Sequence, residues 1–381
     1  MIHLRFTAGA LALATVLPAQ TTLTDGNTTM TLAALSATSQ SPTTFDLRGD
    51  ALAVDHGFEH HWYYRLAGDP REFAFRSLGG VTGGVTPSND HGDRDLADVD
   101  SRGLLKASFD YDVYDSGPAS GVLISRVTVM NISAAPVTLD MFCYTDLDLT
   151  GSAGDDIVTG DNSRHFVTDP TGVQIEVRAL GNDLSQVAPY PQVRTLLTNA
   201  AVNNLAGVLP PFTGDYTGAF QWQGRTLLPF EQKTFQVVFA IDTAATLVPI
   251  VENYGYGNGS TFEIHTQTAP LQDNTQPRVL NVQMKGALPN VEQRTIVGLA
   301  PWLPPLPFIP GLEIWCEPIQ IIGVFAGYTS ATGEAQESFV IPAGPYLTGL
   351  NAFFQVFTVD AAAPNGYAYF TPGMRVRIGK L

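Results

Sequence analysis

Short runs of β-branched and aromatic residues, each fenced by turn formers, recur along the whole chain, and no long stretch repeats apolar residues at helical spacing. Val122-Leu-Ile-Ser-Arg-Val-Thr-Val-Met130, Gly172-Val-Gln-Ile-Glu-Val-Arg178 and Thr234-Phe-Gln-Val-Val-Phe-Ala-Ile241 are clear instances. Such runs bury alternate side chains on one pleated face, so they demand strand partners. With 36 glycines and 26 prolines to close tight turns, the chain is predicted to be all-β, built from antiparallel sheets. One exception lies in Ser185 to Gly207, where Val193 to Leu205 has room for a short helix. The proline-rich run Pro301 to Pro310 must be an extended loop or an edge, because proline cannot donate to a central ladder.

A length of 381 residues exceeds one small core and fits two β-sandwich domains. Composition shifts near Ala245 to Ser260, and Tyr254-Gly-Tyr-Gly-Asn-Gly-Ser260 reads as a flexible joint. The expected division is therefore a leader over 1–20, a large sandwich over 21–250 and a smaller one over 251–381. No repeat at solenoid or propeller period is visible.

The first residues, Met-Ile-His-Leu-Arg5, precede an apolar run from Phe6 to Leu17 and a small-residue exit, Pro18-Ala19-Gln20. That order reads as a secretory signal, although Leu17 fits poorly three residues before a cut after Ala19. A buried N-terminal strand is the alternative. The run is too short for an ordinary membrane span, no later segment is long enough, and the C-terminus carries no hydrophobic tail. Secretion to the periplasm or beyond is the expectation. A formal charge of −16 repels phosphate backbones and argues against a nucleic-acid partner.

The last third resembles a C-terminal β-sandwich module common in exported proteins of some environmental bacteria. The residues that carry this are Gly286-Ala-Leu-Pro-Asn290, Ile296-Val-Gly-Leu-Ala-Pro301, Ser338-Phe-Val-Ile-Pro342, Leu347-Thr-Gly-Leu350, Phe354-Gln-Val-Phe357, Pro364-Asn-Gly-Tyr-Ala368 and Gly373 to Ile378. The resemblance implies an accessory or attachment module without chemistry of its own. Members often open on a Gly-x-Gly-Cys turn; here the matching turn is Gly255-Tyr-Gly-Asn258, which implies that Cys316 lacks its usual partner. The first part is similar to uncharacterised exported β-domains, through Thr24-Asp-Gly-Asn27, His61-Trp-Tyr-Tyr-Arg65, Gly68-Asp-Pro-Arg-Glu-Phe73, Val127-Thr-Val-Met-Asn131 and Tyr144-Thr-Asp-Leu-Asp-Leu149. Its arrangement resembles large carbohydrate-associated sandwiches, an analogy of fold alone.

Three constellations could carry chemistry. In Asp90-His-Gly-Asp-Arg-Asp-Leu-Ala-Asp-Val-Asp100, the carboxylates of Asp90, Asp93, Asp95, Asp98 and Asp100 offer oxygen ligands to calcium. EF-hand spacing is missing, and a solvated acidic loop eased by Arg94 and Arg102 explains the same residues. In the second, alternation places Tyr144, Asp146 and Asp148 on one face, with Cys143, Leu147 and Leu149 on the core face. Carboxylates two residues apart on a strand lie about 7 Å from each other, within the range of glycosidase acid/base pairs. Catalysis would also need one carboxyl with a raised pKa in an apolar setting.

In the third, His60, Trp62 and Tyr64 share one strand face and His61, Tyr63 and Arg65 the other. Flat rings there can stack on sugars or fill a sandwich core, and core is the commoner fate. A histidine metal site would need His56, His60 or His61 to meet His91 or His165.

No Gly-x-Ser-x-Gly elbow, His-Glu-x-x-His helix or phosphate-binding glycine loop is present. Cys143 reads as a small buried hydrophobe, and no cation neighbours Cys316 to activate it. The sequence thus favours a secreted, non-catalytic protein that binds a glycan-rich surface. Trp62, Tyr64, His60 and Tyr144 would be its contacts, polysaccharide its partner and calcium its one candidate cofactor. A carbohydrate-active hydrolase using Asp146 or Asp148 is the rival, and a structural envelope or matrix component the third reading.

Overall fold

The computed structural model describes residues 21–32, 45–48, 54–75, 91–96, 102–117, 120–207, 211–241, 249–258, 263–273, 275–309, 312–363 and 366–380. Across them the protein is all-β, as its residue pattern demands. Strands pair antiparallel throughout, apart from the two-residue parallel pair of Leu271–Gln272 with Gly379–Lys380. The leader-like segment lies outside the described residues. No helix among those described is long and apolar enough to cross a membrane.

Two sheets make the first sandwich. One has five strands, in the order Leu184–Pro189, Tyr216–Leu227, Val137–Leu147, Gly57–Leu66 and Phe73–Ala74. The other has eight, with Gln232–Ile241, Ser120–Asn131 and Leu105–Gly117 adjacent to one another. Alternation decides which side chains meet between them. Trp62, Tyr64, Met141, Cys143, Phe220 and Trp222 from the five-stranded sheet pack on Val127, Val177, Phe235, Val237 and Phe239 from the other. Trp62 and Trp222 stack at 5.7 Å between ring centres. Each fully buried apolar side chain of this size stabilises the fold by roughly 1.5–3 kcal/mol.

The outer face of the five-stranded sheet is also covered. The segment Gln192–Thr198 is an α-helix because Val193 and Leu197, four residues apart, supply one apolar stripe. That stripe packs on Tyr63, Phe142, Tyr144 and Ala219. Asn199 leaves the helix in extended conformation, and its side chain accepts a hydrogen bond from the Ala201 amide. The following segment is tied down by Arg65, which is buried and donates to Glu72, to Asp140, to Asn204 and to the Asn203 carbonyl.

From Ile250 onward the strands pair among themselves. A six-stranded sheet includes Ile250–Tyr254, Gly373–Arg377, Asn351–Val359, Glu292–Gly298 and Ile321–Tyr328. It faces a three-stranded sheet of Glu263–Thr266, Arg278–Lys285 and Ala335–Ile341 across Ile264, Leu280, Met284, Phe354 and Met374. The proline-rich run forms an edge ribbon, Pro301–Ile309 paired with Leu312–Cys316. Two expectations need correction. The described part of the glycine run, Gly255 to Asn258, is a packed turn instead of a flexible joint: Gly255 has φ +71°, and a Cβ there would lie 2.5 Å from the Trp315 ring. The described part of the acidic stretch is no loop either, since His91–Leu96 is a strand paired with Leu105–Gly117. Asp90, Asp98 and Asp100, and the side chains of Asp93 and Asp95, lie outside the described residues. Cys143 and Cys316 are both buried and form no disulfide.

Candidate active site

At one end of the five-stranded sheet, the rows of the ladder align Glu59 with Asp146 and Thr217 with Asp146. The outer face therefore ends in carboxylates. Val137–Leu147 stops one residue short of Asp148, where the chain turns through a short 3-10 segment, Leu149–Gly151. Thr150 sits in the left-handed region at φ 56°, held by its hydroxyl on Asp169 at 2.6 Å and by its amide on His56 Nδ1 at 3.1 Å. The His56 carbonyl accepts the Asp148 amide at 3.2 Å. His56, fully buried, thus fixes the turn that presents Asp148.

This turn changes the expected spacing. Asp146 and Asp148 do not stand in register along one strand; the turn brings them together with Asp215, one carboxylate oxygen from each lying within 4.8 Å of the others. Among the described residues this is one group whose donors could hold a metal ion. Asp215 precedes the Tyr216–Leu227 strand, and its carbonyl accepts the Tyr190 amide at 3.1 Å. Asp146 is 1% exposed, whereas Asp148 and Asp215 are half-buried and in reach of solvent.

Crowding and burial set the proton state. Burial pushes the Asp146 carboxyl up to about 8, with further lift from the charges of Asp215, Asp148 and Glu59. The Tyr144 hydroxyl donates to Asp146 Oδ2 at 3.1 Å and opposes that rise, while Oδ1 is buried without a hydrogen-bond partner. Burial raises Asp148 too, and burial with the Asp148 charge raises Asp215. Nearby Asp156, fully buried, is pushed to about 7 by burial and then by Asp155, Asp169 and Asp148. At neutral pH the cluster holds at least one proton. A donor set of three carboxylate oxygens suits a hard divalent cation in type but falls short of the six to eight oxygens calcium takes.

Cations and rings border the cluster. Arg194, from the helix, donates to Glu59 at 3.1 Å and to the Tyr190 hydroxyl at 3.0 Å. His61 stacks on Tyr144 with an interplanar angle of 11°. Phe58 and Tyr190 are each 39% exposed.

Of the expected sugar contacts, Trp62, Tyr64 and His60 are corrected: they lie between the two sheets, at most 3% exposed, where no ligand reaches them. His60 bonds Ser125 at 2.7 Å and Thr145 at 3.2 Å. Desolvation holds its imidazole at about 3. Tyr144 is equally buried, but on the outer face beside Asp146. Among the described side chains the histidines do not converge: His61 is on the opposite face from His60, and His165 pairs with the Tyr216 hydroxyl at 2.9 Å inside the sandwich, while the side chain of His91 lies outside the described residues. Asp215, Glu59 and Arg194 were not singled out by sequence, and His56 only as a possible metal ligand. Asp215 stands alone 67 residues beyond Asp148, and only strand register joins them.

No family model matches the chain, and no curated protein does. Among solved structures, a bacterial glucoamylase complexed with acarbose aligns at a TM-score of 0.41 and 9% identity, over 57% of this chain and 30% of its own length. A galactose-mutarotase/aldose-epimerase homologue from C. elegans aligns at 0.35 and 10% identity, over 60% of this chain and 100% of its own. A putative aldose 1-epimerase from Escherichia coli K12 aligns at 0.36 and 11% identity, over 59% and 99%. The chain thus spans 30% of the first of these, and at such TM-scores no activity is carried from any of them to this protein.

Proposed function

We propose that the protein is an exported carbohydrate-active hydrolase whose working groups are Asp148 and Asp215, with Asp146 beneath them as the proton store. One observation carries this reading: three carboxylates converge at a sheet end while burial keeps a proton among them at neutral pH. That pairing of one acid with one ionised neighbour is what cleavage of a glycosidic bond requires. Carboxylates also accept hydrogen bonds from vicinal hydroxyls, and the half-exposed rings of Phe58 and Tyr190 supply flat apolar rims. The leader-like N-terminus supports export.

In this scheme one of Asp148 and Asp215 gives its proton to the leaving glycosidic oxygen. The other, ionised, bonds to the anomeric carbon, and water then releases the sugar as the first carboxylate takes the proton back. One carboxylate oxygen of each lies within 4.8 Å of the others, nearer the roughly 5 Å spacing of retaining enzymes than the roughly 6.5–9.5 Å of inverting ones.

Release of reducing ends from a panel of polysaccharides tests this, with the anomeric form of the product followed by NMR. Retained configuration, activity that survives EDTA, and a loss of about a hundredfold or more in Asp148→Asn and Asp215→Asn are expected. Full activity in both variants, or no reducing ends from any glycan, overturns it. In the second case, retention of the protein on those same glycans would return the non-catalytic binding reading to first place.

A further inference from the structure

Against a net charge of −16, one cleft has the opposite sign. Its volume is about 460 Å3, and it lies where the first sandwich meets the strands Ile250–Tyr254 and Gly373–Arg377. Four cations line it, Arg225, Lys233, Arg375 and Arg377, against a single lining carboxylate, Glu252. Glu252 meets Arg375 at 3.4 Å, and Asp183, outside the lining, meets Arg225 at 2.8 Å. These contacts leave donors unused: the Nε groups of Arg225 and Arg375 are buried without a hydrogen-bond partner. Like charge is crowded here, for burial and then the charges of Arg375 and Arg178 hold the Arg377 guanidinium below its ordinary value. Such a concentration of cations stays stable more readily when an anion lies among them.

A second feature narrows the ligand. Gln236, 3% exposed, lines the same cleft and donates to the Pro249 carbonyl at 2.7 Å, leaving its own Oε1 without a hydrogen-bond partner. A fully deprotonated oxyanion such as sulfate has no donor to offer that oxygen, whereas a hydroxyl has. Trp222, Phe235 and Val251 add an apolar wall.

We infer that this cleft binds a hydroxylated carboxylate of the uronic-acid class, its anionic oxygens on Arg225, Lys233, Arg375 and Arg377 and a hydroxyl on Gln236. The choice of a sugar acid rests on the carbohydrate reading above; the anion site itself does not.

Isothermal titration of the full chain with glucuronate, glucose and sulfate tests it. Glucuronate should bind saturably, with glucose and sulfate each at least about tenfold weaker, the loss expected for one charge-assisted contact or one satisfied acceptor. Lys233→Gln and Arg377→Gln should each weaken glucuronate by about tenfold with the thermal transition unchanged. Asp146→Asn should leave this affinity as it is, so a failure of hydrolysis and a failure of this site are read separately. Absence of saturable glucuronate binding, equal binding of glucose, sulfate binding as tight as glucuronate, or indifference to both cation variants overturns the inference.

Discussion

Replacing Asp146 by asparagine should make the protein more stable, by an amount that grows with pH. In the fold the Asp146 carboxyl titrates at about 8, against 3.8 for an unperturbed one. Between those values the native protein holds a proton there that the unfolded chain has released. This contribution to stability is full below pH 3.8 and is lost as pH rises through about 8. One proton corresponds to about 1.4 kcal/mol per pH unit, so ionising this 1%-exposed group inside the fold costs about 6 kcal/mol in all. Asparagine keeps the shape and can still accept from Tyr144, but has no proton to lose. The variant should gain on the natural protein by about 2 kcal/mol at pH 5 and about 4 kcal/mol at pH 7.

Urea denaturation of both proteins at pH 5, 6, 7 and 8 measures the gap directly. The natural protein's own profile is the wrong readout, because other groups act with both signs. His60 and His165, held near 3 by burial, add stability as pH rises towards 6.5, while Asp156, near 7, shares the sign of Asp146. Subtraction of the two curves cancels them. A gap that stays constant from pH 5 to 8 would mean that Asp146 is ionised throughout, and the proton-store role would fall with it.

Further outcomes follow from the same contacts. Tyr144→Phe removes the hydroxyl that opposes the rise of the Asp146 pKa, so the alkaline limb of the activity profile should move upward; a downward move refutes this. Arg65→Met strands Glu72 and Asp140 and should cost about 3–5 kcal/mol in denaturant unfolding, with amides of 199–206 exchanging before those of the sheet. Trp62→Ala should cost about 3–5 kcal/mol through the cavity it leaves, with turnover per folded molecule unaltered, since Trp62 touches no ligand. Burial raises both thiols, Cys316 to about 12, so a thiol reagent should label neither cysteine until the protein is unfolded.

Local pattern and long-range pairing were legible to different degrees. The runs at Val122, Gly172 and Thr234 are strands because alternation and β-branching are local properties, and the same alternation put Cys143, Leu147 and Leu149 on a core face, where all three are fully buried. The opposite face misled. Period-two alternation says that His61, Tyr63 and Arg65 point away from His60 and Trp62, and it cannot say that a later helix will bury them as well. Asp146 and Asp148 were visible because they are neighbours in sequence. Asp215 and Glu59 join them only through ladder register, and Arg194 only through the docking of its helix; no spacing rule reports either. The basic cleft was invisible for the same reason, two of its four cations coming from the neighbouring strands Tyr216–Leu227 and Gln232–Ile241 and two from the distant Gly373–Arg377.

Every member of the acidic cluster sits at or just beyond a strand end, beside turns at Leu149 to Gly151 and Gly214, while the interior of the sandwich is sealed by aromatic residues one layer below. Selectivity and architecture are therefore separable in this molecule. Turn lengths and rim rings can diverge without repacking the interior, which makes those two connections the natural places to graft or randomise when the proposed hydrolase is put to the test.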